Sequence, residues 1–343
     1  MDQRTSVEPG LGEPPAHGRG ALGRLGGWLL PQQRRLALYA ALTVFVLALT
    51  ALAWNATTGG ADPQPPASAG AGTAQPPTSD PGDLRGTPGS DTGGGEEADA
   101  RRPSGESALV ANPLYDTGRL SPLPCPAPDL DIHDPDSVET FLNAMADCLD
   151  DTWQRQFDRA GIPFHPPRRV FWREPGRSPC RDYPSAAGAF YCRADTGIYI
   201  GVEDVVRKWN EADDSVVYAS LIAHEYGHHV QGESGLLEYY HERRGQEADR
   251  EDQNSWTRKS ELQANCFAGA FLGSVQVSYP LTDADRSAVL TDAEATADRE
   301  NGPEEERTHG TAENSRYWLD QGLTGQSPGT CNTWATENTA LLE

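Results

Sequence analysis

The sequence predicts a mainly α, α+β domain with a small sheet, held behind a single N-terminal transmembrane helix and a disordered linker. Three observations carry that expectation. Residues 36–54 are uncharged and mostly apolar. Residues 55–120 are rich in Gly, Pro, Ala, Ser and Thr and almost without large apolar side chains. From 121 to 343 apolar residues recur mainly at three and four positions, the period of a helix, with only two short strand-like runs.

The first 35 residues read as a short cytoplasmic tail. The run Leu36 to Trp54 offers nineteen uncharged positions, long enough to cross a hydrocarbon layer of about 30 Å. Arg34 and Arg35 abut its N-terminal end, with Arg4, Arg19 and Arg24 behind them, and no Lys or Arg follows until Arg85. That asymmetry predicts a single-pass cell-membrane protein with its N-terminus in the cytoplasm and the remainder outside. A cleaved signal peptide would carry a shorter apolar core nearer the start. Residues 55–120 cannot bury enough apolar surface to offset the entropy of ordering, so they read as a tether spanning about 45 Å on average.

Within 121–343 the elements follow in order. Ser137 to Ala160 reads as an amphipathic helix, with Val138, Phe141, Leu142, Met145, Leu149, Trp153 and Phe157 on one stripe. Arg169–Trp172 and Gly197–Val202 read as strands, the second directly ahead of the next helix. That second strand is either an exposed edge able to pair with an extended peptide or a core strand. A helix capped by Asp213, Asp214 or Ser215 then runs to Gly232 or Gly235. Ser260–Phe271, Thr282–Glu300 with Thr282 and Asp285 as a capping pair, and Thr311–Leu323 complete the helices.

All six cysteines, Cys125, Cys148, Cys180, Cys192, Cys266 and Cys331, lie beyond the apolar span, and no CxxC spacing occurs among them. Disulfides in an oxidising compartment fit better than metal thiolates. Six cysteines allow 15 pairings between which spacing does not choose; the expectation is Cys125 with Cys148, Cys180 with Cys192, and Cys266 with Cys331. The chain carries a net charge of −23, of which residues 121–343 supply −20 from 39 acids and 19 bases. Nucleic acid and anionic membrane surfaces are therefore excluded as expected partners.

The chemistry is concentrated in His224-Glu225-Tyr226-Gly227-His228, which follows the apolar run Val216–Ala223. Four residues make just over one helical turn, so both histidines share a face and can hold one Zn²⁺, while Glu225 reaches water rather than metal. A third ligand in a HExxHxxGxxH pattern is excluded, because Gln231 and Ser234 stand where Gly and His would be. The single acid on the next apolar helix, Glu261, is the candidate. Asn265, one turn on, is placed to accept the other ring N–H of a ligating histidine. Glu233, Glu238, Glu242, Glu247 and Glu251 read as solvated loop charge, and His229, about 100° round the helix from His228, as a neighbour of the site or a solvent-facing residue. His309 is the candidate donor to the oxyanion of an attacked carbonyl, with Tyr317 or Tyr226 behind it.

The segments His224–Gln231 (HEYGHHVQ), Glu261–Gly269 (ELQANCFAG), Phe190–Asp195 (FYCRAD) and His309–Thr311 (HGT) resemble the neutral zinc metallopeptidase family of bacteria, whose pattern is HExGHHxQ followed by ELQADC. The resemblance spans roughly residues 121–335. It implies a zincin-like domain that binds Zn²⁺ through His224, His228 and Glu261 and uses Glu225 as base. Asn265 departs from the family's Asp, keeping an acceptor and losing a charge, the kind of change that costs about 10- to 100-fold in metal affinity or activity. The expected protein is a membrane-anchored peptidase that hydrolyses peptide or protein substrates outside the cytoplasm. The alternatives are a catalytically weak zinc-binding relative that holds an envelope protein, and a hydrolase of another bond, such as a wall peptide crosslink.

Overall fold

The structure is a computed structural model and describes residues 101–185 and 187–343. The expected cytoplasmic tail, the membrane helix 36–54 and the linker up to residue 100 lie outside the described residues. No helix among the described residues is long and apolar enough to cross a membrane. The last part of the expected linker is structured, with helix α1 (Glu106–Val110) and a 3₁₀ turn at Pro113–Asp116. Three leucines account for this. Leu109 is buried against Leu236, Leu237 and Tyr240, while Leu114 and Leu120 enter the main core. Asn112 then closes the seam by donating to the carbonyls of Ala108 and Ser234.

Helix α2 (Pro135–Ala160) starts where the Asp134 carboxylate accepts the Asp136 N–H, with Pro135 at the first helical position, and stops at Gly161, whose φ of 69° favours glycine. Its buried stripe is the predicted one, Val138 through Phe157. The short strands follow: β1 (Arg168–Trp172), β2 (Gly176–Arg177), β3 (Asp182–Tyr183), β4 (Ala189–Cys192) and β5 (Gly197–Gly201). β2 and β3 pair as a small antiparallel ribbon. The main sheet has the order β1-β5-β4, with β5 parallel to β1 and antiparallel to β4.

β5 is thus the middle strand, buried at every position, and not an edge open to a peptide. Its sequence Gly-Ile-Tyr-Ile-Gly explains this, because apolar residues on both faces suit a strand covered on both sides. Nor does it lead straight into the histidine helix. Helix α3 (Val202–Lys208) intervenes, taking Val202 out of the strand.

Helix α4 (Ser215–Glu233) carries the HExxH motif and is buried round most of its circumference. Helices α5 (Leu236–Gln246), α6 (Arg250–Val275), α7 (Asp283–Thr296) and α8 (Ala312–Gly325) follow. α6 begins ten residues earlier than Ser260, because Asp249 caps it through the Glu251 N–H. The acids expected in a loop therefore sit on helices or their ends: Glu238 and Glu242 on α5, Glu247 at its C-terminal cap, Glu251 in the first turn of α6. Glu233 is no solvated charge either. It is buried, accepts the His165 backbone N–H and pairs with Arg102. α7 has the predicted Thr282–Asp285 capping box but ends at Thr296, short of Glu300.

Two close backbone approaches position the site. A Cβ at Gly227 of α4 would lie 3.0 Å from the Ala264 Cα of α6, and one at Gly269 of α6 would lie 2.2 Å from the Leu319 carbonyl oxygen of α8. Absence of a side chain lets these helices cross almost in backbone contact. The disulfides join Cys125 to Cys148, Cys180 to Cys192 and Cys266 to Cys331, the expected pairing. They tie the segment before α2 to that helix, the β3–β4 region to itself, and α6 to the C-terminal segment.

Candidate metal centre

α4 presents His224 and His228 one turn apart, with ring centroids 4.8 Å apart and ring planes nearly perpendicular. Because α4 crosses α6 at Gly227, Glu261 of α6 comes between the two rings. Its Oε2 lies 3.2 Å from His224 Nε2 and 3.2 Å from His228 Nε2. Among the described residues these three form the one cluster of His, Cys, Asp or Glu able to share an ion. Ligand atoms around a tetrahedral zinc with bonds near 2.05 Å stand about 3.3 Å apart, so the donor set fits. The outer nitrogens fit as well. His224 Nδ1 is 2.7 Å from Asn265 Oδ1, and His228 Nδ1 is 3.0 Å from Gln231 Oε1, which leaves both Nε2 lone pairs facing the carboxylate.

The electrostatics of the trio follow from its geometry. Burial opposes a charge on His228, but the Glu261 carboxylate outweighs it and raises the imidazole pKa to about 9. Burial likewise opposes ionisation of Glu261, yet the histidines hold its carboxyl well below the usual range. A divalent cation at these three donor atoms would compete with protons for them.

Glu225 is 8% exposed and has no hydrogen bond or ion pair with another described residue. Its oxygens are not among the fully enclosed, unpaired polar atoms, so they open onto accessible space beside the histidines. His309 precedes α8, whose N-terminus is capped by Thr311. Its Nε2 lies 4.0 Å from Glu261 Oε2 and its Nδ1 3.0 Å from Thr308 Oγ1. The structure therefore brings His224, Glu225, His228, Glu261, Asn265 and His309 to one place.

Other expectations are corrected here. Tyr226 cannot serve as the oxyanion donor in place of His309, because its buried hydroxyl donates to Asp150 Oδ1 at 2.6 Å. Tyr317 lies on the exposed side of α8. His229 is neither beside the metal trio nor solvent-facing. It is fully buried, bonds to the His165 carbonyl oxygen through Nε2, and has its pKa pushed down to about 4 by burial. Asp298 was not anticipated, although its carboxylate accepts the backbone N–H groups of Thr308, His309 and Gly310 and so clasps the His309 loop. Nothing in its local sequence signals that role, since it sits among other acids just past the end of α7.

The chain belongs to the family described as "Putative neutral zinc metallopeptidase", whose model matches residues 130–334. The cofactor of that family is Zn²⁺. The uncharacterized protein YpfJ of Escherichia coli (strain K12) is 31% identical over 208 residues, covering 58% of this chain and 72% of the relative. The uncharacterized protein Rv2575 of Mycobacterium tuberculosis (strain ATCC 25618 / H37Rv) is 30% identical over 192 residues, covering 50% of this chain and 62% of the relative. No solved structure gives a significant match.

Proposed function

We propose that the chain is a membrane-anchored zinc peptidase that hydrolyses peptide bonds outside the cytoplasm, with His224, His228 and Glu261 holding the metal. The observation that carries this reading is the convergence of two Nε2 atoms and one carboxylate oxygen within 4.8 Å of one another, beside an unpaired glutamate one position along the helix. Bound there, Zn²⁺ supplies Lewis acidity to a scissile carbonyl and acidifies water. The chain's own residues do the remainder. Glu225 takes a proton from the attacking water and passes it to the leaving amine nitrogen. The Asp298 carboxylate, 3.8 Å from His309 Nδ1, favours the protonated imidazole, whose Nε2–H can then donate toward the carbonyl oxygen. Membrane anchoring is supported by the apolar span 36–54 with arginines on one flank only, and action outside the cytoplasm by three disulfides and no free cysteine among the described residues.

The test is a peptide-library assay on the zinc-loaded protein beside Glu225→Gln. Glu225→Gln should retain one zinc per chain and lose hydrolysis, and turnover surviving in that variant would sink the assignment of the base. Zinc binding without hydrolysis of any peptide by the unaltered chain would favour the envelope-binding relative instead.

A further inference from the structure

The two histidines of the trio are not supported alike, and the support of His228 continues far past its first contact. Gln231 and Gln263 are both fully buried and meet side chain to side chain. Gln231 Nε2 donates to the Ser260 carbonyl oxygen at 2.9 Å and to Gln263 Oε1 at 3.0 Å, while its Oε1 accepts Ser260 Oγ–H at 3.0 Å and faces His228 Nδ1 at 3.0 Å. Gln263 Nε2 donates to the Cys331 carbonyl oxygen at 3.0 Å and to Tyr115 Oη at 2.9 Å, while its Oε1 also accepts Trp334 Nε1–H at 3.1 Å. Every donor and acceptor position of both amides is filled.

That saturation fixes which way each amide points. A carbonyl oxygen cannot donate and an indole N–H cannot accept. The Cys331 carbonyl and the Trp334 indole therefore leave Gln263 one orientation, and the Ser260 carbonyl and Gln263 Oε1 leave Gln231 one orientation. Turning either amide over would set donor against donor and acceptor against acceptor in a fully buried place, a costly arrangement. With its oxygen held toward His228, Gln231 requires the proton on Nδ1 and leaves the Nε2 lone pair on the Glu261 side.

We propose that Gln231 and Gln263 are positioning residues that fix the tautomer and ring orientation of His228, with their own orientation set by the segment Cys331–Trp334 that the Cys266–Cys331 disulfide ties to α6. The inference rests on the reading of the trio as a zinc site. Information thus passes from the C-terminal segment to a ligating nitrogen through two amides and no charged group. His224 has no such train: Asn265 accepts from it, and no other hydrogen bond of the Asn265 side chain occurs among the described residues.

The experiment is chelator competition for Zn²⁺ on the full chain at one pH, with thermal melts in excess chelator as a control for folding. Gln231→Leu, which removes the acceptor, should weaken zinc binding about 10- to 100-fold, as loss of an orienting partner commonly does. Gln231→Met, which fills nearly the same space with no acceptor, should lose as much as Gln231→Leu, a loss that mere filling of space would not produce. Trp334→Phe keeps an aromatic ring and removes only the N–H, and should weaken binding about threefold to tenfold, the worth of one hydrogen bond. It also keeps the proposal testable if Gln231→Leu fails to fold. Zinc affinity unchanged in Trp334→Phe and in a folded Gln231→Leu overturns the relay while leaving the zinc site intact. Zinc affinity in a folded Gln231→Met equal to that of the unaltered chain overturns it as well. No zinc binding by the unaltered chain overturns the site and the relay together.

Discussion

His224 and His228 occupy equivalent places on one helix and face the same carboxylate oxygen at the same distance, yet they are held in different ways. The His224 arm ends after one contact, at the amide of Asn265. The His228 arm runs through two saturated amides to a disulfide-tied segment at the far end of the chain. The contrast shows that the placing of a candidate ligand is a local matter of helical period, whereas its orientation depends on whatever the fold brings behind it. An arm with one support responds to a single substitution. A networked arm responds also to events remote in sequence.

The largest expected effect erases the contrast. His224→Ala, His228→Ala and Glu261→Ala should each abolish stoichiometric zinc by elemental analysis, whichever arm is cut, because two remaining donors do not make a site. Full zinc content in Glu261→Ala would move the third ligand elsewhere.

The next largest separates the arms. Reduction or paired Ala replacement of Cys266 and Cys331, 65 residues apart in sequence, should cost about 4 kcal/mol of stability on the chain-entropy model. It should also weaken zinc binding, by releasing the Cys331 carbonyl that orients Gln263. Opening Cys180–Cys192 should lower the melting temperature without that loss of affinity. Equal zinc affinity in both disulfide variants would show that the C-terminal tie does not reach His228.

On the short arm the effect is smaller and can go either way. Asn265→Asp would turn the His224 contact into a charge-assisted hydrogen bond and should tighten zinc on the order of 10-fold, with Asn265→Ala moving the other way. Identical chelator-competition curves for Asn, Asp and Ala at 265 would remove this contact from the account.

The smallest effect is one of pH. Burial pushes the Asp292 carboxyl up to about 6, against the Trp209 N–H that it accepts and the nearby charges of Lys208 and His224. Between its ordinary value of 3.8 and about 6 the folded chain therefore holds a proton that the unfolded chain has released, so this group's contribution to stability falls as pH rises through that window. Asp292→Asn should flatten that slope in denaturant melts of the metal-free protein between pH 4 and 7. An unchanged slope would mean that the carboxyl titrates as if exposed.

Much of this was legible in the chain. The placing of His224 and His228 on one face with Glu225 beside them follows from a period of four, and Glu261 stood out as the single acid of Ser260–Phe271, although α6 also carries Glu251 and Asp252 in its first turn. The α2 stripe and the Thr282–Asp285 capping box are likewise local patterns that the structure reproduces. Gln231 was visible as part of a motif but not as a hinge of orientation, because an amide's role depends on which atoms surround it. Asp298 looked like one acid among many until its carboxylate met three backbone N–H groups across a loop. The burial of β5 and the docking of Leu109, Leu114 and Leu120 depend on partners far along the chain.

By itself, then, the sequence determined the chemistry on offer: two imidazoles on one face, a carboxylate beside them, a further acid on a later helix, and cysteines enough for three bridges. Periodicity and residue type are short-range properties, and a helix converts them directly into geometry. Only the tertiary structure decided how those groups are aimed. It took a backbone crossing at Gly227 to bring α6 within 3.0 Å of the place a Cβ would occupy, and the meeting of residues 115, 231, 263, 331 and 334 to saturate two buried amides. Hydrogen-bond saturation is a property of a volume rather than of a segment, so no stretch of chain could announce it.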